Sequence, residues 1–486
     1  MLSRLSIVLA VLLLAACTGD PPPPASGDPD GTSLVIAVGT APETLDPQAG
    51  YAPYGAAQIY DGLVELSPTG ARPTLAAAPP VPSADGLTWT VRLRTDVSFH
   101  DGTGLDATDV AASYQPLVGE GRFWMIERVK PVNATTVQFA LSRPYPDLPS
   151  VLTLGIEPSE SAGTDRTVGT GPYRVSLWDP GKRLVLTANP GYFGDRPAIT
   201  EVTVEFVPDP AERAARLRDG TVDGAPLPAA LAAEFDGADG MTTHTHRAAD
   251  LRAITLPSGN AVTGDPAVRL ALNLAVDRQA VLDTVLAGVG VPTSLPVPDV
   301  QAEFAEPAAA FAFEPATAAT VLTSADWIAG DDGVRVRKGV RASFVVGYPE
   351  GDAEAEQLVT AFAQAAAQIG IEVTPRAGGE NGAQYRAVGN PVDPEAALRG
   401  LLYAAGGSTA AALDQARAAT DPVQAAVALH AAQRANRTSP AAVVLVQANH
   451  AYVHRDAWAG HAAVTDAPVT DHTWGAWWNL ADWTPR

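Results

Sequence analysis

The chain of 486 residues holds a single cysteine, Cys17. No disulfide can form within it, so its fold must be stabilised by burial alone. Catalytic signatures are also missing: there is no GxxxxGK[ST], HExxH, GxSxG or CxxC. Positive charge is scarce, with 32 Lys plus Arg against 54 Asp plus Glu and a net charge of −22. Such a surface repels phosphate backbones, and nucleic acid is not an expected partner. Beyond the N-terminus no apolar run approaches the roughly 20 residues that a membrane helix needs. No repeat at a fixed period appears, which argues against solenoids and propellers.

What is present begins at the N-terminus. Arg4 precedes Leu5 to Ala16, twelve residues without charge that end in Ala15-Ala16, the pattern of a secretory signal. The tetrapeptide Leu14-Ala15-Ala16-Cys17 resembles a bacterial lipobox. It implies a signal peptide over 1–16, with Cys17 as the lipid-bearing first residue of the mature chain. The following TGDPPPPASGDPDGTS is polar and proline-stiffened, so 17–33 reads as a tether.

Order is expected from LVIAV (34–38), a buried strand. TWTVRL (88–93) and TVQFAL (136–141) alternate at period two and predict a small antiparallel sheet. RLVLTAN (183–189) and EVTVEFVP (201–208) read as strands, with AERAARLRDG as a helix after them. A helix is expected over 268–288. ASFVVGY (342–348), the helical AEAEQLVTAFAQAAAQIG and IEVTP predict a parallel βαβ unit, and VVLVQ (443–447) a last strand.

His244-Thr245-His246 would point two imidazoles to one strand face, an arrangement suited to a transition metal. Two ligands leave a site incomplete and Arg247 adjoins them, so the pair reads as a solvated strand end. His450, His454, His461 and His472 read as surface residues. Aromatics gather at Trp474, Trp477, Trp478 and Trp483, and Tyr51 and Tyr54 follow the first strand. Most such rings are core; a few can line a ligand cleft.

Five segments then resemble, in order and spacing, the family 5 solute-binding proteins of ABC importers: LDP (45–47), IYDGLVE (59–65), DGLTWTVRLRTDVSFHDGTGLDATDVAAS (85–113), TVGTGPYRVSLWDPGKRLVLTANPGYFGDRP (167–197) and AVRLALNLAVDRQAVLDTVLAG (267–288). In FHDG, Asp101-Gly102 suits a turn, and Asp106 or Thr108 can cap a helix beginning near Asp109. In GTGPY, Gly169 and Gly171 permit close backbone approach. The resemblance implies an α/β periplasmic-binding-protein type II fold, two lobes joined by a hinge with an extra subdomain on the first. By position, 34–60, 165–255 and 440–486 form the main part of lobe I, 61–164 the extra subdomain and 256–439 lobe II.

The implied function is a lipid-anchored extracytoplasmic receptor, a monomer at the outer face of the cytoplasmic membrane or in the periplasm. It would capture oligopeptides or dipeptides in an interlobe cleft and deliver them to an ABC permease. It is not expected to be an enzyme, and neither a cofactor nor a resident metal is expected. In peptide binders of the family an acidic group anchors the amino terminus; Asp393 or Asp414 are the candidates here, in a shortened segment without Trp. Arg122 and Trp124 fall near positions that face the cleft in nickel-chelate binders, while Glu157 stands where a further arginine is expected. Nickel or another metal chelate is therefore the alternative solute, and a secreted hydrolase or non-transport sensor the alternative class. Tyr51, Tyr54, Arg122, Trp124, His246 and Trp474 are the expected solute contacts.

Overall fold

The computed structural model describes residues 32–55, 58–162, 166–379, 382–468 and 471–486. The expectations for the signal, for Cys17 and for the tether as far as residue 31 lie outside the described residues. Among those described, no helix is long and apolar enough to cross a membrane.

The strand Ser33–Val38 is apolar on both faces and lies at the centre of a seven-stranded sheet. It pairs in parallel with Glu201–Phe206 and with Gly224–Leu227. On one flank Arg183–Ala188 and Tyr173–Asp179 continue the sheet; on the other come His450–Arg455 and the edge strand Met241–His246. Leu34, Ile36 and Val38 are buried with Trp477 and Trp483 on one side, each aliphatic side chain contributing about 1.5–3 kcal/mol. A second sheet has six strands: Gly290–Val291, Ala442–Ala448, Leu251–Thr255, Ala383–Val388, Ser343–Tyr348 and Glu372–Ala377. Within it Ser343–Tyr348 and Glu372–Ala377 are parallel. Asp352 caps the helix Ala353–Gln368 between them, which buries Leu358, Val359 and Phe362 on the sheet. The third sheet, of four strands, pairs Thr88–Arg92 with Thr136–Leu141 antiparallel, Trp89 opposite Phe139.

The chain passes from the first sheet to the second between His246 and Leu251 and returns between Ala448 and His450. These crossings correct the edges read from the sequence at 255/256 and 439/440. Leu251–Thr255 and Ala442–Ala448 both belong to the second sheet, where they pair with each other. Their apolar faces suit either sheet, so pattern alone did not assign them. The helix expected over 268–288 is two, Pro266–Ala275 and Arg278–Val285, because Asp277 accepts the amide of Ala280 and starts a new one.

The two family motifs interlock. His100 of FHDG donates Nε2–H to the carbonyl of Gly171 (3.1 Å) and accepts the Gly169 amide at Nδ1 (3.3 Å). Burial pushes its imidazole down to about 4, so it stays neutral in this role. A Cβ on Gly169 would lie 2.1 Å from the Ile59 carbonyl oxygen, which is why glycine is required there. Asp106, not Thr108, caps the helix Ala107–Tyr114 in a reciprocal box with Asp109.

Candidate functional site

Between the lobes lies a recess of about 220 Å³. The first lobe contributes Tyr54, Arg122, Trp124 and Thr153; the second contributes Asn390, Val392, Asp393 and Arg417. A neighbouring recess of about 490 Å³ shares Trp124, Val392, Asp393 and Arg417 with it and extends along Tyr145, Gln301 and Phe304.

Local backbone explains the first wall. Asp46 and Gly50 bound a short 3-10 turn, and then Ala52 adopts φ 51°, a left-handed conformation that costs a side-chain-bearing residue about 1 kcal/mol or more. This turn sends Tyr51 into the core and leaves Tyr54 at the recess. Gly121–Phe123 is another 3-10 turn. It buries Phe123 edge-on against Tyr114 and places Arg122 and Trp124, on either side of it in sequence, at the recess.

The Arg122 guanidinium is bonded to the Pro53 carbonyl and the Thr153 hydroxyl and stacks on Phe123 at 4.7 Å. Trp124 is flanked by two cations, Arg143 at 5.1 Å and Arg417 at 4.8 Å from the ring centroid. Tyr145 meets it edge-on at 6.0 Å. Arg417 belongs to the second lobe and is paired with Glu395; its carbonyl accepts from Arg143 (3.2 Å). Trp124 is thus a point of contact between the lobes.

Three of the residues expected to touch solute stand elsewhere. Tyr51 is 5% exposed, and its hydroxyl shares a hydrogen bond with His472 Nε2 (2.8 Å); burial raises its pKa well above the usual value. Trp474 is buried, donating Nε1–H to the Thr465 carbonyl (3.1 Å) and packing behind Tyr54 at 5.7 Å. His246 is 1% exposed and held by Asp466 (3.0 Å), away from the recess. In each case a hydrogen bond within the protein holds the polar end in place. Asp393 does line the recess, but one carboxylate oxygen caps the helix Pro394–Leu402, and burial raises its pKa. Asp414 is paired with Arg399. Glu157 is buried, with its amide bonded to Ser113 and its side chain near Gln48, so it is not a cleft residue. Arg143, Arg417, Asn390 and Val392 were missed, because only the meeting of distant segments reveals them.

A further recess of about 480 Å³ lies where the chain crosses between the lobes, lined by Arg252, Glu354, Tyr385, Arg386 and His450 among others. Arg252 is paired with Asp250 (2.6 Å) and bonded to Tyr385 (2.8 Å). Asp250 also meets His450 (2.9 Å), whose other nitrogen meets Asp466 (3.1 Å). Burial works against the charged His450, but the two carboxylates outweigh it and lift its pKa to about 9.

Of the histidines expected at the surface, His454 and His461 gather with His244 and His246, His450 lies between Asp250 and Asp466, and His472 is buried against Tyr51. Burial and neighbouring imidazoles push His461 down to about 3 and His244 to about 4; burial also lowers His454. The HTH pair is therefore not a solvated strand end: its strand is paired along Met241–His246 with His450–Arg455.

Comparison with known proteins agrees with this architecture. A family model, bacterial extracellular solute-binding proteins, family 5 middle, matches residues 70–404. Protein XP55 of Streptomyces lividans is 36% identical, covering 94% of this chain and 91% of its own. NikZ from Campylobacter jejuni in complex with Ni(L-His) superposes with a TM-score of 0.81 at 22% identity, over 93% of this chain and 99% of that one. AppA from Bacillus subtilis in complex with a nonapeptide gives 0.79 at 19% identity, over 93% and 99%. These two share the periplasmic-binding-protein type II fold with the present chain. The chain belongs to family 5 of the bacterial extracellular solute-binding proteins, which serve ABC importers.

Proposed function

We propose that this protein is a lipid-anchored receptor that captures a short peptide between its lobes and presents it to an ABC permease. The observation that carries the reading is the recess built from both lobes, in which Tyr54, Arg122 and Trp124 face Asp393 and Arg417. A solute held there contacts both lobes at once, so it favours the closed state by its differential affinity. Asp393 suits an amino terminus, the arginines suit a carboxylate, and the adjoining recess along Tyr145 and Phe304 offers room for apolar side chains. The similarity to AppA, solved with a nonapeptide, supports a peptide as solute.

A metal chelate is the second reading, favoured by two guanidiniums beside one indole and by the similarity to NikZ, solved with Ni(L-His). In both readings the protein acts as a monomeric receptor without catalytic chemistry or cofactor. Native mass spectrometry of protein from its own host, with metal analysis alongside, separates them. A co-purifying peptide series is the expected result; a stoichiometric metal carried with a small organic chelator would replace the peptide by the chelate. For the anchor, Cys17→Ser should release the protein from membranes with solute affinity intact, and membrane retention of that variant would refute lipidation.

A further inference from the structure

We infer that His244, His246, His454 and His461 form a site for one divalent transition-metal ion that prefers imidazole nitrogen, Cu²⁺ or Zn²⁺, at the edge of the first sheet and separate from the solute recess. In the antiparallel register His244 lies opposite Tyr452 and Thr242 opposite His454, so His244, His246 and His454 share one face of the edge pair. His461, from the segment that follows, lies over them. Its ring is stacked on His244 at 3.8 Å and stands 5.0 Å from His246 and 6.0 Å from His454. The Nε2 atoms meet in pairs, His244 with His454 at 2.9 Å and His246 with His461 at 2.8 Å.

Hydrogen bonding assigns the protons. His454 donates Nδ1–H to the carbonyl of Arg455 (2.9 Å), and His246 donates Nδ1–H to the Asp466 carboxylate (3.0 Å). Each therefore presents an Nε2 lone pair and receives Nε2–H from its partner, His244 for His454 and His461 for His246. An imidazole oriented through Nδ1 by a carboxylate or carbonyl, with Nε2 free as donor, is the arrangement that metal-ligating histidines use. His461 and His244 become ligands by moving their proton from Nε2 to Nδ1 through solvent, with no net proton released. Both are partly exposed, which gives the ion a route in, while His246 and His454 are buried at 1% and 4% exposure. The cation feared from the sequence is turned away: Arg247 is exposed and paired with Asp299 (2.7 Å).

One ion needs a small rearrangement of these rings. Nitrogens bound at about 2.0–2.1 Å in a tetrahedron lie about 3.4 Å apart, with ring centroids about 5 Å apart. Among the described residues no group of three or more His, Cys, Asp or Glu side chains already stands where it could hold a metal ion. The ion would thus part the two nitrogen pairs by about half an ångström and unstack His461 from His244. Imidazole-only coordination suits Cu²⁺ and Zn²⁺, with Cu²⁺ the tighter by general affinity order.

The test uses the untagged, full-length protein, stripped over a chelating resin and titrated with Co²⁺, then challenged with Zn²⁺ and Cu²⁺. Expected are one equivalent of Co²⁺ with the strong visible absorption of a four-coordinate site, its displacement by either ion, and at least about 100-fold weaker binding in His244→Ala/His461→Ala. Asp466→Asn should weaken binding about 10- to 100-fold, and His430→Gln, on the helix Pro422–Thr438 of the second lobe, should leave it unchanged. Substoichiometric binding at micromolar metal, or binding that survives the double variant, would overturn the site. Loss of binding on Arg122→Ala or Trp124→Ala, with the double variant unaffected, would place the ion in the solute recess and refute it equally. Should the double variant fail to fold, acylation of His244 and His461 by diethyl pyrocarbonate in the wild-type protein decides. Protection by Zn²⁺ supports the site, and equal labelling with and without Zn²⁺ rejects it.

Discussion

The recess at Trp124 and the larger recess at the crossing strands both join the lobes, yet their charges face different things. At Trp124, Arg143 lies against an indole and a backbone carbonyl, and among the described residues only Arg417 of the flanking cations is paired with a carboxylate, Glu395. At the crossing, Arg252, Asp250, His450 and Asp466 form one chain in which each charge adjoins its opposite. A compensated charge fixes the position of the chain; a cation resting on an aromatic face keeps the capacity to meet an anionic group of a solute. The larger cavity is on this comparison a brace, and the smaller one the proposed solute site.

Breaking the brace should have the largest effect. Arg252→Met removes the cation and leaves Asp250 buried beside His450 alone. The expected loss is about 3–5 kcal/mol in urea unfolding, with solute affinity changed little. A loss below about 1 kcal/mol, or a loss of affinity with stability intact, would dissolve the distinction between brace and receptor.

Asp61 sharpens the comparison, since it is buried with hydroxyl partners, Thr170 (2.8 Å) and Tyr192 (3.3 Å), and no bonded cation. Burial lifts its pKa to about 7. The folded state then holds this proton more tightly than the unfolded chain does, so its stabilising effect is full below the ordinary carboxylate range and is lost as pH rises through about 7. The stability of wild type relative to Asp61→Asn should fall by on the order of 3 kcal/mol from pH 4 to pH 8. Denaturation midpoints of both proteins across that range check it, and a constant difference would show Asp61 to be compensated after all.

Much of this architecture was legible in the sequence because it depends on neighbours. The βαβ unit at 342–377 needed only two apolar runs and a capped helix, and FHDG and GTGPY needed only local turn chemistry and close approach. The cleft was half legible. Arg122 and Trp124 were expected through the family resemblance and Tyr54 from the loop after the first strand, and all three line the recess. Arg417 and Arg143, which flank the indole, lie 274 residues apart and carry no shared local signal. The histidines failed for a related reason: His244 and His246 were read as a solvated strand end because His454 and His461, which gather with them, are more than 200 residues away in sequence. Period-two alternation did place His244 and His246 on one face; strand register supplied the rest.

Within the receptor, Trp124→Ala should weaken solute binding about 10- to 100-fold, because it removes the ring on which both arginines rest. Calorimetry with the co-purified solute measures this, beside a melting temperature that should stay within a few degrees. An unchanged affinity would move the solute along the neighbouring recess, toward Tyr145 and Phe304.

The smallest effect is expected at Tyr51, whose place in the core was not anticipated. Tyr51→Phe removes a hydroxyl bonded to His472 and keeps the ring against Tyr60. His472 is itself buried, with Nδ1 unpartnered, so losing the hydroxyl also leaves Nε2 without its bond. The cost should be about 1–2 kcal/mol of stability, with no change in solute affinity, since the ring stands behind the wall that Tyr54 presents. A drop in affinity that Tyr54→Phe does not share would return Tyr51 to the cleft. Equal small losses of stability alone in the two variants would place both hydroxyls outside recognition and leave the contact to Trp124 and the arginines.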